Sequence, residues 1–227
     1  VVCTELNMIF ELDANFAELR HWTFSSEPDS QHVNSVCIHE GRLLASRFGR
    51  FERRRGYKGM TRGAGEVFDV ESGEVVISGL SQPHSLKSVD GRLWLCDSET
   101  YTLRTYRDFV IDGECRFDGY TRGLAFGAAH VYVGLSRSRN DPEGRLPSAR
   151  IVVLDLSDMS EVHRIELAAD EIYDLCPVGD ARLSTQRAAA CAAGARRRRH
   201  LMETLGAILA AAIAAGTPIV LARVGER

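Results

Sequence analysis

The chain has 227 residues, of which 44% are hydrophobic and 26% charged, the balance of a globular protein long enough to bury a sizeable core in one or two domains. A formal net charge of −3 excludes a globally basic nucleic-acid binder. The six cysteines, at positions 3, 37, 96, 115, 176 and 191, form no close pair, which excludes the usual zinc spacings and predicts buried free thiols in a reducing compartment. No signal-peptide pattern is present at the N-terminus, so a cytoplasmic protein is expected.

Residues Cys3–Leu12 place Leu6, Met8, Phe10 and Leu12 in alternation, which predicts a strand with one buried face. A polar stretch then leads into a segment running from His32 to Ser46. This segment has a counterpart downstream in Ser81–Ser98, where the apolar runs Leu86–Val89 and Leu93–Cys96 flank Asp90-Gly91, a strong hairpin signal. Ser35, Gly41, Arg42 and Leu43 match Ser85, Gly91, Arg92 and Leu93, each 50 residues further on. A third copy starts at Tyr120, where Gly123 takes the place of Ser85 and Tyr132 that of Trp94, both 38 residues on. A weaker fourth begins at Ile172, with Gly179-Asp180 as its turn.

Between these hairpins lie further strand-like runs at Gly65–Val70, Glu74–Ile77, Thr102–Tyr106, Arg150–Leu156 and Val162–Leu167. About four short strands per period of about 40–50 residues is the mark of a β-propeller blade. The predicted fold is all-β: a partial or truncated β-propeller of about four blade-like repeats over residues 1–187. A β-sandwich with accidental self-similarity is the plainer alternative. Trp94 and Tyr132 are assigned to the blade core.

The motifs Gln82-Pro83-His84-Ser85-Leu86, Gly91-Arg92-Leu93-Trp94-Leu95-Cys96, Gly119-Tyr120-Thr121-Arg122-Gly123-Leu124-Ala125 and Val133-Gly134-Leu135-Ser136-Arg137 resemble a bacterial conserved-hypothetical propeller family of unassigned function. The resemblance spans roughly Asn34 to Leu175. It implies a β-propeller and no particular activity.

From Arg187 the composition changes to an Ala/Arg-rich tail, residues 188–227, and the repeat array is expected to be cut short there. The uncharged run Leu205–Ala222 follows four arginines and approaches the length of a membrane span. It is dominated by alanine and broken by Gly216 and Pro218. The expectation is therefore an Ala-rich helix between about Ala188 and Ala215, then a short strand at Ile219–Leu221, with no regular blade completed and no membrane partner.

Strand direction in a propeller places the residues that open each repeat around one face: His32 and Asn34, His84 and Ser85, Thr121 and Arg122, Tyr173 and Asp174. The loops after the second strands fall on the same side. One carries Arg47, Arg50, Arg53, Arg54, Arg55, Lys58 and Arg62 against Glu52; the other carries Arg137, Arg139 and Arg145 against Asp141 and Glu143. Two basic loops on one face predict a site for an anionic ligand, since guanidinium groups bind carboxylate, phosphate or sulfate in two-point contacts. Solvated surface loops would look the same in sequence. The glycines of Gly56–Gly65 do not make a nucleotide loop, because a strand rather than a helix follows them.

His84 as general base and Arg122 as oxyanion holder are the candidate catalytic residues. Hydrogen bonds that tie blades together would explain both equally well. The candidate ligand-binding residues are His32, Asn34, Ser85, Arg47, Arg50, Arg137, Arg139 and Asp174. Asn34 and Asp174 lack the acidic partner that a calcium site needs, so neither a metal nor a cofactor is expected. Three functions remain in view: binding of an anionic small molecule or polymer, a lactonase- or lyase-like enzyme at the same site, and a protein-interaction platform.

Overall fold

Two-residue turns set the register of the repeated hairpins. Strand β4 (Ser35–His39) pairs with β5 (Arg42–Arg47) and β8 (Pro83–Val89) pairs with β9 (Arg92–Asp97), both antiparallel. Glu40 and Gly41 have φ of 50° and 79°, and Asp90 and Gly91 have 50° and 69°. Positive φ at both turn residues gives the backbone twist that matches the strands, and glycine tolerates it best. The structure is a computed structural model that describes residues 1–137, 146–178 and 219–224.

Each hairpin is extended outward into a four-stranded antiparallel sheet. The first adds β6 (Gly65–Asp69) and β7 (Val75–Leu80), and the second adds β10 (Thr102–Arg107) and β11 (Val110–Arg116). The third sheet consists of β12 (Tyr120–Phe126), β13 (His130–Ser136), β14 (Arg150–Asp155) and β15 (Glu161–Glu166). The opening strands β4, β8, β12 and β16 (Ile172–Val178) are successive neighbours, so the sheets stand side by side as blades. The second strands lie in the apolar interior: Leu93, Trp94, Leu95 and Cys96 are each at most 3% exposed. Leu44, Val67, Leu86 and Leu95 share one core cluster from the first two blades; Trp94, Leu103, Leu124 and Val133 share another from the second and third.

The latches between blades are polar and recur. Ser35 Oγ accepts the Leu86 amide at 3.2 Å, and Ser85 Oγ accepts the Gly123 amide at 2.8 Å. Asn34 Nδ2 donates to the Pro83 carbonyl at 2.9 Å, and Ser98 Oγ donates to the Thr121 carbonyl at 2.6 Å. A bulge interrupts β8 between His84 and Lys87, and another interrupts β12 between Thr121 and Leu124. Ser85 and Gly123, at φ of 57° and 89°, sit in these bulges. The repeated Ser/Gly position is thus a backbone requirement as well as a latch.

Three expectations change. The N-terminal stretch is not one strand: β1 (Val2–Cys3) and β2 (Met8–Leu12) are separated by a turn in which Asn7 has φ 49°. Buried Asn7 donates to the Glu27 carbonyl and fixes that turn, which leaves Ile9, rather than Met8 or Phe10, as the fully buried side chain. These strands and β3 (Glu18–Thr23) form a three-stranded sheet against the first blade. Beyond Arg187, β17 (Ile219–Val224) pairs antiparallel with β16, so the short terminal strand is longer than expected and belongs to a two-stranded sheet. The expected helix at 188–215 and the Gly179-Asp180 turn lie outside the described residues. Of the five described cysteines, all unpaired, only Cys96 is fully buried; burial pushes its thiol up to about 12. No helix among the described residues is long and apolar enough to cross a membrane.

Candidate functional site

The bulges and the latches bring the opening residues of four blades to two adjoining cavities. The strand-side cavity, about 410 Å³, is lined by Asn34, Ser85, Lys87 and Asp174 among others. The loop-side cavity, about 340 Å³, is lined by Phe48, Tyr57, Lys58, Tyr120, Arg137 and Glu171 among others. His32, His84, Arg122 and Tyr173 line both, and so form the waist between them. One residue comes from the stretch before β4 and one each from β8, β12 and β16; the repeat aligns His84 with Arg122, whereas His32 aligns with Gln82.

Aromatic rings build the wall of the loop-side cavity. Phe48 lies 4.1 Å from the His32 ring, 5.3 Å from Tyr57 and 5.1 Å from His84, centroid to centroid. The Arg122 guanidinium stacks over the Tyr173 ring at 4.1 Å. Tyr120 donates to Gln82 Oε1 at 2.7 Å, and burial pushes its hydroxyl pKa above the ordinary tyrosine range.

His84 is 5% exposed, and its Nδ1 lies 3.0 Å from the Gln82 carbonyl and 2.9 Å from Ser98 Oγ. A carbonyl can only accept, so the network assigns the proton to Nδ1. Burial, followed by the nearby Arg122 and His32, holds its pKa well below the usual 6.5. His84 is therefore neutral at neutral pH. An unfolded histidine takes up a proton near 6.5 while the folded one does not, so acid favours the unfolded chain. Stability should fall as pH drops below about 6.5, by up to about 1.4 kcal/mol per unit from this group. Urea titrations of wild type and His84→Phe at pH 7.5 and 5.5 check this: the variant should lose that part of the slope.

Asp29, absent from the candidate set, organises the other histidine. It is 3% exposed and accepts His32 Nδ1 at 2.7 Å, Tyr57 Oη at 2.9 Å and Arg55 Nε at 3.0 Å. Burial alone would raise its pKa; the bonds from His32 and Tyr57 outweigh that and hold it below the usual carboxylate range. Tyr57, Tyr120 and Gln82 were also outside the candidate set. Gln82 and Tyr120 match His32 in the repeat, 50 and then 38 residues further on, and that was the available signal for both.

The remaining candidates divide. Arg137 lines the loop-side cavity with Lys58 and Arg55, so one cation that follows β13 shares a space with two from the loop after β5. Arg47 and Arg50 line neither cavity: Arg47 is 4% exposed, ion-paired to Glu66 at 2.6 Å and stacked on Phe68 at 4.2 Å, and Arg50 also binds Glu66. A cation read as ligand-facing is thus a packing element of the first blade. Asn34 and Ser85 face the strand-side cavity, but their polar atoms serve the blade latches. Asp174 Oδ1 accepts the Leu175 amide. Arg139 lies outside the described residues. Among the described residues no cluster of three His, Cys, Asp or Glu side chains could hold a metal.

A family described as "Domain of unknown function (DUF4915)" matches residues 1–185. The chain belongs to the DUF4915 family. No curated protein sequence matches it. Among solved structures, a luciferin-regenerating enzyme is 11% identical with a TM-score of 0.50, over 74% of this chain and 58% of that one. A structure titled as the calcium-binding protein regucalcin, from Agrobacterium tumefaciens strain C58, is 18% identical with a TM-score of 0.49, over 78% and 63%. Glutaminyl cyclase from Myxococcus xanthus is 13% identical with a TM-score of 0.43, over 64% and 57%. This DUF4915 chain therefore spans less than two thirds of each of these structures. At such identities the likeness concerns the fold alone. The fold is all-β and propeller-like.

Proposed function

We propose that this domain binds a small anionic ligand in the loop-side cavity, with Arg122 as the central contact. The observation that carries the reading is the charge of the lining: Arg55 and Lys58 from the first blade and Arg122 and Arg137 from the third face one space that holds a single lining carboxylate, Glu171. Asp29 answers Arg55 from behind, which leaves the cavity cationic in a chain whose net charge is negative. Aromatic walls lower the local dielectric and strengthen an ionic contact made there.

Citrate and inorganic phosphate, with glycerol as the neutral control, test this by calorimetry and thermal shift. Citrate should bind and stabilise, and glycerol should do neither. Arg122→Ala should weaken citrate binding by roughly tenfold or more, about 1.4 kcal/mol, at low and high salt alike. Lys58→Ala with Arg137→Ala should weaken it at low salt and much less at high salt, because both side chains are exposed and screened within about 8–10 Å. Equal binding of citrate to wild type and Arg122→Ala would sink the reading.

A further inference from the structure

His32 is held by named partners. Its φ of 53° recurs as 55° at Gln82, the matching residue 50 positions on, so the left-handed backbone belongs to the repeat. Phe48 and Tyr57 flank the imidazole at 4.1 and 4.9 Å, and the buried Asp29 carboxylate takes its Nδ1 at 2.7 Å. A carboxylate partner assigns the proton to Nδ1 and leaves Nε2 as the ring's acceptor. With 24% of its side chain exposed, against 5% for the whole His84 residue, His32 is the more accessible of the two waist histidines.

We infer that His32, oriented by Asp29, is the proton acceptor for hydrolysis of a small ester that carries a second, anionic group. This rests on the anion-binding reading: Lys58 and Arg137 would hold the anionic group while Arg122 faces the ester carbonyl. No side-chain nucleophile is needed. The hydroxyl of Ser35 donates within the first blade, that of Ser136 donates to the Ile172 carbonyl, and Ser85 Oγ is occupied by the Gly123 amide. Water is the nucleophile in this scheme. Its oxygen bonds to the acyl carbon as His32 Nε2 takes one of its protons, and the carbonyl π pair moves onto the oxygen beside Arg122. The intermediate then collapses, the bond from the acyl carbon to the alkoxy oxygen breaks, and the departing alkoxide takes the proton from Nε2. Ester and water become acid and alcohol, with both imidazole and carboxylate returned to their starting forms.

The test uses mono-4-nitrophenyl succinate and 4-nitrophenyl acetate, an anionic and a neutral ester read by the same chromophore. Wild type should prefer the succinate by roughly tenfold or more in kcat/KM. His32→Gly should lose about 100-fold in kcat with little change in KM, the usual size of a general-base deletion. Glycine accepts the left-handed backbone and leaves a ring-shaped space, so added imidazole should restore at least roughly tenfold of the rate. A merely structural histidine would show no such rescue. Asp29→Asn should also lower kcat, because an amide no longer fixes the tautomer. If that variant fails to fold, His32→Gly and its rescue decide. Citrate binding without ester hydrolysis in wild type, or unchanged hydrolysis in His32→Gly, overturns the inference and leaves the anion reading intact. Hydrolysis with no preference for the succinate and no citrate binding overturns the anion reading itself, and with it this substrate class.

Discussion

Replacing Trp94 with alanine should lower folding stability by about 3–5 kcal/mol, a loss that urea unfolding would show as a shifted midpoint at nearly unchanged slope. The ring is 3% exposed and lies where the second and third blades meet, among Cys96, Leu103, Leu124 and Val133. It meets Phe126 edge to face at 5.1 Å. Truncation to alanine leaves a hole between two rigid sheets, which cannot collapse into it without moving both. Trp94→Phe should cost much less, under roughly 2 kcal/mol. The indole Nε1 is buried with no hydrogen-bond partner, so phenylalanine removes an unsatisfied donor while keeping most of the packing. If both variants lose stability equally, the ring volume is not what matters at this junction.

Trp94 also shows why the blade hairpins were legible in sequence. A second strand with both faces covered reads as an unbroken apolar run, and Asp90-Gly91 marks the turn before it. Two of the outermost strands obey neither rule. Residues of β3 and β11 are mostly exposed, so no buried pattern marks Glu18–Thr23 or Val110–Arg116, and neither strand was expected. The site divides along the same line. His84 and Arg122 could be placed because the repeat carries them to one equivalent position, held by Asn34 in the first copy, and His32 and Asp174 because they lie beside the openings of the first and fourth copies. Tyr57 reaches the cavity, and Asp29 the buried side of His32, through irregular segments whose course no periodicity specifies. Arg47 was misplaced for a related reason: local charge says nothing about whether a guanidinium turns outward or inward onto Phe68 and Glu66.

Gly134→Ala should damage both stability and anion binding, and the two effects share a cause. Gly134 lies on β13 opposite the bulge that carries Arg122 and Gly123. It takes the place that Cys96 holds in the preceding blade, 38 residues earlier. There the second strand faces a regular pair, His84 with Cys96, and a side chain fits. In the third blade the bulge falls one step away, and the Arg122 carbonyl is driven toward β13. An added Cβ at Gly134 would lie 2.2 Å from that carbonyl oxygen and 2.9 Å from Ile172 Cγ2. The nearest obstacle is backbone, so a rotamer change cannot relieve it. Overpacking of this kind costs about 1–3 kcal/mol and sometimes more. Relief requires β12 to move, and Arg122 moves with it, so citrate affinity should fall by roughly tenfold or more, about 1.4 kcal/mol. Gly91→Ala separates this from a general glycine effect. Gly91 has φ 69° but nothing within 4 Å of an added Cβ, so its cost is conformational, about 1–2 kcal/mol, and citrate affinity should be unchanged. If Gly134→Ala binds citrate as tightly as wild type, the position of Arg122 is not set by this contact.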